Sequence, residues 1–93
     1  MPAAAIEIED TPNPHAMKYI ADRPLNPGPT RSYRSPDEAV DAGDDLAQAV
    51  FAAGPIVSVM IVNDFITVNK KPSARWGRLN PTIEAVLRQH LDG

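Results

Sequence analysis

Residues Ile56 to Lys70 read I-V-S-V-M-I-V, then Asn63-Asp64, then F-I-T-V-N-K. Two runs rich in β-branched residues flank a two-residue polar break, which is the pattern of a β-hairpin. Asn and Asp tolerate the positive φ that tight hairpin turns use, so the break suits the turn. A two-residue turn sets Ile61 opposite Ile66 and Val59 opposite Val68, with Val57 on the same apolar face. Met60, Val62, Phe65, Thr67, Ser58 and Asn69 then share the other, mixed face. A three-residue turn would shift the pairing by one and reassign both faces. The hairpin carries no catalytic pattern; it reads as scaffold, with one face available as a surface.

On either side of this hairpin the chain gives strong punctuation. Ala5 to Asp10 alternates, with Ile6 and Ile8 on one side and Glu7 and Glu9 on the other, as in a half-buried strand. Thr11-Pro12-Asn13-Pro14 breaks it, because two prolines fix φ and remove two amide donors. Ala16 to Ala21 resumes an extended pattern, with Met17 and Tyr19 on one face and Lys18 on the other. These segments form a second hairpin with a stiff connection. Asp22 to Pro29 holds three prolines and a glycine and reads as a loop. Thr30 to Arg34 suits either a short edge strand or more loop.

Ser35-Pro36-Asp37-Glu38 is a helix start, with Ser35 as cap, Pro36 at the first helical position and Glu38 completing a capping box. Gly43 interrupts that helix, and Asp44 or Asp45 is placed to cap another. Leu46, Ala49, Val50 and Ala53 follow at helical spacing beside Phe51. Gly54-Pro55 reads as a stop, with glycine as a left-handed cap. After the hairpin, Trp76, Leu79, Ile83, Val86, Leu87 and His90 lie three or four apart. Pro81 opposes a continuous helix. The favoured reading is a turn over Ser73–Leu79 and a helix from Pro81 to Leu91, with Asn80 as cap; the other is one helix kinked at Pro81. The order is β-β-(β)-α-β-β-α. It predicts an α+β domain over residues 1–93, with a mostly antiparallel four- to five-stranded sheet and two helices on one face.

Composition narrows the function classes. The chain has 93 residues, 43% of them hydrophobic, so it can form one small core. It has no cysteine, which removes disulfides and thiolate ligands for zinc or iron–sulfur clusters. Nine basic and 12 acidic side chains give a net charge of −3, which weighs against general nucleic-acid binding. No apolar run approaches the ~18 residues of a membrane span. Met1 to Ala5 lacks a basic segment ahead of a long apolar one, so a secretory leader is not expected and the expected compartment is the cytoplasm.

Several short motifs coincide along the chain: Thr11-Pro12-Asn13-Pro14 with Met17-Lys18-Tyr19, then Leu46-Ala47 and Phe51, then Asp64-Phe65-Ile66-Thr67-Val68-Asn69-Lys70, then Trp76, Leu79, Pro81 and Ile83. Together, over Ile6 to Leu91, they resemble the N-terminal domain of Nfu/NifU-like iron–sulfur scaffold proteins. The resemblance implies a compact fold of α and β elements and a link to iron–sulfur cluster biogenesis. In two-domain members a C-x-x-C motif in a separate C-terminal domain binds the cluster. Without cysteine this chain looks like a stand-alone N-terminal domain, so the implied role is contact with partner proteins, such as a cysteine-bearing iron–sulfur carrier or client. His15, where a small or amide residue is common, and the proline-rich Leu25–Pro29 loop depart from the family pattern.

The site reading follows from these points. No catalytic residues, resident cofactor or metal ligands are assigned, since neither a nucleophile–base pattern nor a phosphate loop is present. His15 and His90 are too few for a metal site alone. The residues expected to meet a partner are Asn13, His15, Met17 and Lys18 around the proline turn, Met60 and Phe65 on the mixed hairpin face, and Trp76. The bland readings are that Trp76 anchors a helix to the core and that Phe65 and Met60 tuck against a neighbouring strand. Asp37, Glu38, Asp41, Asp44 and Asp45 form an acidic pole, read as a solvated helix start or as a guide for a basic partner. Lys70, Lys71, Arg75 and Arg78 surround Trp76 as a basic patch suited to an acidic protein or, against the net charge, to RNA. A different class of function, a small ligand-binding domain or enzyme, would use the Asn13/His15 region.

Overall fold

The computed structural model describes residues 5–25 and 28–92. The middle of the proline-rich loop, Asn26 and Pro27, and the first four residues lie outside that description. Five strands, β1 (Ile6–Asp10), β2 (Ala16–Ala21), β3 (Arg31–Tyr33), β4 (Ile56–Val62) and β5 (Phe65–Lys70), form one antiparallel sheet in the order β1-β2-β5-β4-β3. Three helices, α1 (Pro36–Ala42), α2 (Asp45–Phe51) and α3 (Trp76–Asp92), complete the α+β domain. The expected class holds; the described residues hold three helices rather than two, and the ambiguous Thr30–Arg34 segment supplies the edge strand β3.

The β4–β5 hairpin has the two-residue turn, pairing Val62 with Phe65, Ile61 with Ile66 and Val59 with Val68. Two expectations about it fail. No described non-glycine residue has positive φ, so Asn63-Asp64 does not use a left-handed turn. Its conformation is held instead by long-range bonds. The Asp64 carbonyl accepts from the Ala21 amide and the Asn63 carbonyl from the Leu25 amide, both at 2.8 Å. The second failure is Val57. A register shift between Ile56 and Ser58 turns Ile56 inward and leaves Val57 45% exposed. One extra residue in a strand inverts the alternation beyond it.

Rows of paired residues show which face is covered. Ile8, Tyr19, Ile66 and Ile61 form one row across the sheet; Met17, Val68, Val59 and Tyr33 form the next. These side chains join Leu46, Val50, Phe51, Leu79, Ile83 and Leu87 of the helices in a single core.

The helix starts follow the capping chemistry. Ser35 accepts from the Glu38 amide, and the Glu38 carboxylate reaches back to the Arg34 amide at 3.0 Å, one residue before the expected box partner. Gly43 closes α1 in the left-handed region (φ 69°), where a side chain would be strained. Asp44, not Asp45, caps α2. Its side chain is 2% exposed: one oxygen accepts from the Ala47 amide, the other from the Tyr33 hydroxyl (2.8 Å) and the Arg31 guanidinium (2.9 Å). Asp44 is therefore removed from the acidic surface pole and becomes the knot joining β3 to the two short helices. Gly54 serves a purpose other than a left-handed cap. An added Cβ would stand 2.6 Å from Leu79 Cδ2, so the residue allows α3 to approach.

The largest correction concerns the last helix. It is continuous from Trp76 to Asp92 with Pro81 inside it. Pro81 cannot donate to the Gly77 carbonyl four residues earlier. Both residues are exposed, so water can take that acceptor. The first turn is fixed from outside: Trp76 Nε1 donates to the Pro14 carbonyl at 3.0 Å, and Leu79 is buried. Asn80 is not a cap; its Oδ1 accepts from the Tyr19 hydroxyl at 2.6 Å.

Burial is the main cause pushing the Tyr19 and Tyr33 phenols above the ordinary value of 10.0, aided at Tyr33 by the hydrogen bond to Asp44. The folded state thus keeps protons that the unfolded chain releases above pH ~10. Stability is expected to be unaffected by these groups below that pH and to fall as pH rises beyond it. Thermal melts between pH 8 and 11 check this. Tyr19→Phe should flatten the alkaline slope, and an unchanged slope would contradict it.

Candidate functional site

Among the described residues, the helices pack on one side of the sheet and leave the other side open. Alternation brings Glu9, Lys18, Thr67, Met60 and Ser32 into one row across this open face, and Glu7, Ile20, Phe65 and Val62 into the adjacent row. The Lys18 ammonium lies 4.3 Å from the centroid of the Phe65 ring, a cation–π contact that also covers part of the ring. Met60 is 38% exposed, while Ile20, Val62 and Phe65 are half-buried. The result is an apolar strip across three central strands, bordered by Lys18 and the β1 carboxylates. A sheet face of this kind is suited to contact with another protein surface.

A second cluster sits at the end of the β1–β2 hairpin. Thr11 Oγ1 lies within hydrogen-bond reach of the Asn13 (2.9 Å) and Ala16 (3.1 Å) carbonyls and accepts from the Asn13 amide. Asn13 Oδ1 accepts from the His15 amide at 2.9 Å, and the Asn13 carbonyl accepts from Ala16. With Pro12 and Pro14 fixing φ, these bonds brace the turn from within, and two more tie it to the rest of the fold. Trp76 bonds to Pro14, and the Lys70 amide bonds to the His15 carbonyl at 2.9 Å. Lys70 is 9% exposed, with Nζ 3.5 Å from His15 Nδ1 and 5.8 Å from the centroid of the Trp76 ring.

The predicted site residues therefore divide into three groups. Lys18, Met60 and Phe65 come together on the open face. Asn13, His15 and Trp76 come together at the turn, where the Asn13 amide oxygen is spent on the local fold. Met17 belongs to the core at 6% exposure, and its remaining surface lines the cleft at the turn beside Asn13, Pro14 and Trp76. Sequence reading assigned Ile20 to no surface and counted Lys70 as a surface charge. Strand alternation carried both signals: Ile20 follows the inward Tyr19, and Lys70 lies in phase with the buried Ile66 and Val68. Among the described residues, no three His, Asp or Glu side chains are grouped to hold a metal ion. No described helix is long and apolar enough to cross a membrane.

Residues 6–93 match the family model described as scaffold protein Nfu/NifU N terminal. The chain belongs to the Nfu/NifU N-terminal family. Its fold is that of other members. The solution structure of a NifU-like protein from Saccharomyces cerevisiae superposes with a TM-score of 0.84 at 27% identity, over 97% of this chain and 80% of that one. The crystal structure of protein SAV1430 from Staphylococcus aureus gives 0.73 at 29% identity, over 87% of this chain and 95% of that one. The Drosophila willistoni protein named "NFU1 iron-sulfur cluster scaffold homolog, mitochondrial" is 33% identical over 82 residues, 88% of this chain. This Nfu N-terminal chain spans 28% of that relative's length.

Proposed function

We propose that this Nfu N-terminal domain is a non-catalytic interaction module in iron–sulfur cluster assembly or delivery, and that the open sheet face docks a cysteine-bearing carrier or client protein. The observation that carries the reading is the Lys18–Phe65–Met60 strip, left uncovered in a fold of this family. The fruit-fly relative's name supplies the link to clusters. These 93 residues contain no cysteine, so in this proposal the thiolates that hold the cluster lie outside them. A cytoplasmic site of action is part of the proposal; the fruit-fly relative is named mitochondrial, and cell fractionation decides the compartment.

Substituting the face tests the reading without touching the core. Met60→Glu is expected to change folding stability by less than about 1 kcal/mol, the span of strand preferences. Capture of a cluster-loaded carrier domain on the immobilised protein should fall at least about tenfold, the equivalent of about 1.4 kcal/mol of contact. Lys18→Glu should lower it as well. Circular dichroism verifies that each variant is folded, and undiminished capture by both would overturn the docking face.

A further inference from the structure

On the opposite side of the molecule, the helix layer carries a groove with charges at its two ends. Helices α2 and α3 run antiparallel: the end of α2 meets the start of α3 at one cleft, and the start of α2 meets the second half of α3 at another. Arg75 and Arg78 line the first cleft, of about 710 Å³. Ala49, Val86 and Asp45 line the second, of about 410 Å³. Thr82 lines both, so they follow one another along the helix pair. Neither arginine forms an ion pair among the described residues, and Asp45 has none either. His90 is also at the Asp45 end, held to the Leu25 carbonyl at 3.0 Å.

A floor of alanine and valine with a positive and a negative end selects its occupant by shape and charge. Small floor residues admit a helix backbone closely. Such a helix lays its apolar stripe into the groove. From Arg75 to His90 the groove is about 22 Å long at 1.5 Å per residue, which is about four helical turns. The structure assigns this groove to a partner's amphipathic helix of about four turns that carries acidic residues at one end and basic residues at the other. The assignment lies across the sheet from the docking face proposed above and does not depend on it.

Three synthetic helical peptides of about 16 residues, about four turns, test the inference. All carry leucines at i, i+3, i+4 and i+7 spacing. One has glutamates at one end and lysines at the other, one has glutamates at both ends, and one has lysines at both. The charge-split peptide is expected to bind at least about tenfold tighter than either control, with amide shifts at Ala49, Val86 and Thr82 and a gap that narrows in high salt, where surface charge is screened. In the Arg75→Glu, Arg78→Glu double variant the preference should move to the lysine-ended peptide. Equal affinities, tightest binding of the lysine-ended peptide to the unaltered protein, or sedimentation showing that a second copy already covers the groove would each overturn the inference.

Discussion

Tyr19→Ala is expected to remove about 3–5 kcal/mol of stability, the cost of deleting a buried aromatic side chain. Tyr19 is fully buried in the second strand of the sheet, flanked by Ile8 and Ile66. A domain of 93 residues holds only about 5–14 kcal/mol in total, so the variant would lose from about a fifth of its stability to nearly all of it. The hydroxyl makes a separable contribution. Tyr19→Phe keeps the ring and loses only the bond to Asn80, at a cost of about 1 kcal/mol. Urea denaturation followed by circular dichroism measures both. Equal losses in the two variants would mean that the hydrogen bond, not the packing, holds α3 to the sheet.

The second large effect is at Asp44. Asp44→Ala deletes the α2 cap, worth about 1 kcal/mol, and leaves the buried Tyr33 hydroxyl without its acceptor, worth about 1–3 kcal/mol. Arg31 is a third exposed on its side chain and regains water, so its lost ion pair adds little. The expected total is about 2–4 kcal/mol. Asp44→Asn keeps a capping oxygen and should cost about half as much. A loss below about 0.5 kcal/mol in Asp44→Ala, the range of ordinary surface changes, would show that the knot does not hold the short helices.

Much of this fold was legible because local chemistry and the final structure agree. Ser35, Pro36 and Glu38 start a helix as their side chains dictate, and the β-branched runs around Asn63-Asp64 pair in the two-residue register. The failures have two causes, a local bulge and contacts made across the fold. Val57 turned outward because a bulge leaves no mark on the alternation before it. Pro81 was accommodated because Trp76 is tied to Pro14 and Asn80 to Tyr19, over 62 and 61 residues of sequence. Asp44 looked like one carboxylate in a solvated run until β3 brought Tyr33 and Arg31 to it. Such contacts override local preference and are invisible to periodicity.

The surface was half legible for a related reason. Alternation assigned Met60 and Phe65 to one face and Met17 and Lys18 to opposite faces. Which face the helices cover depends on tertiary packing, and that decides whether Lys18 or Met17 meets solvent. The residues around Asn13 were recognised as a rigid turn, but their hydrogen bonds show that the rigidity serves the fold.

Titration of the isotope-labelled domain with a cysteine-bearing iron–sulfur carrier domain, followed by amide chemical shifts, tests the interaction reading most directly. The open-face account predicts shifts concentrated at Lys18, Ile20, Met60, Phe65 and Thr67. No shifts with any such carrier, or shifts confined to the helix layer, would contradict it.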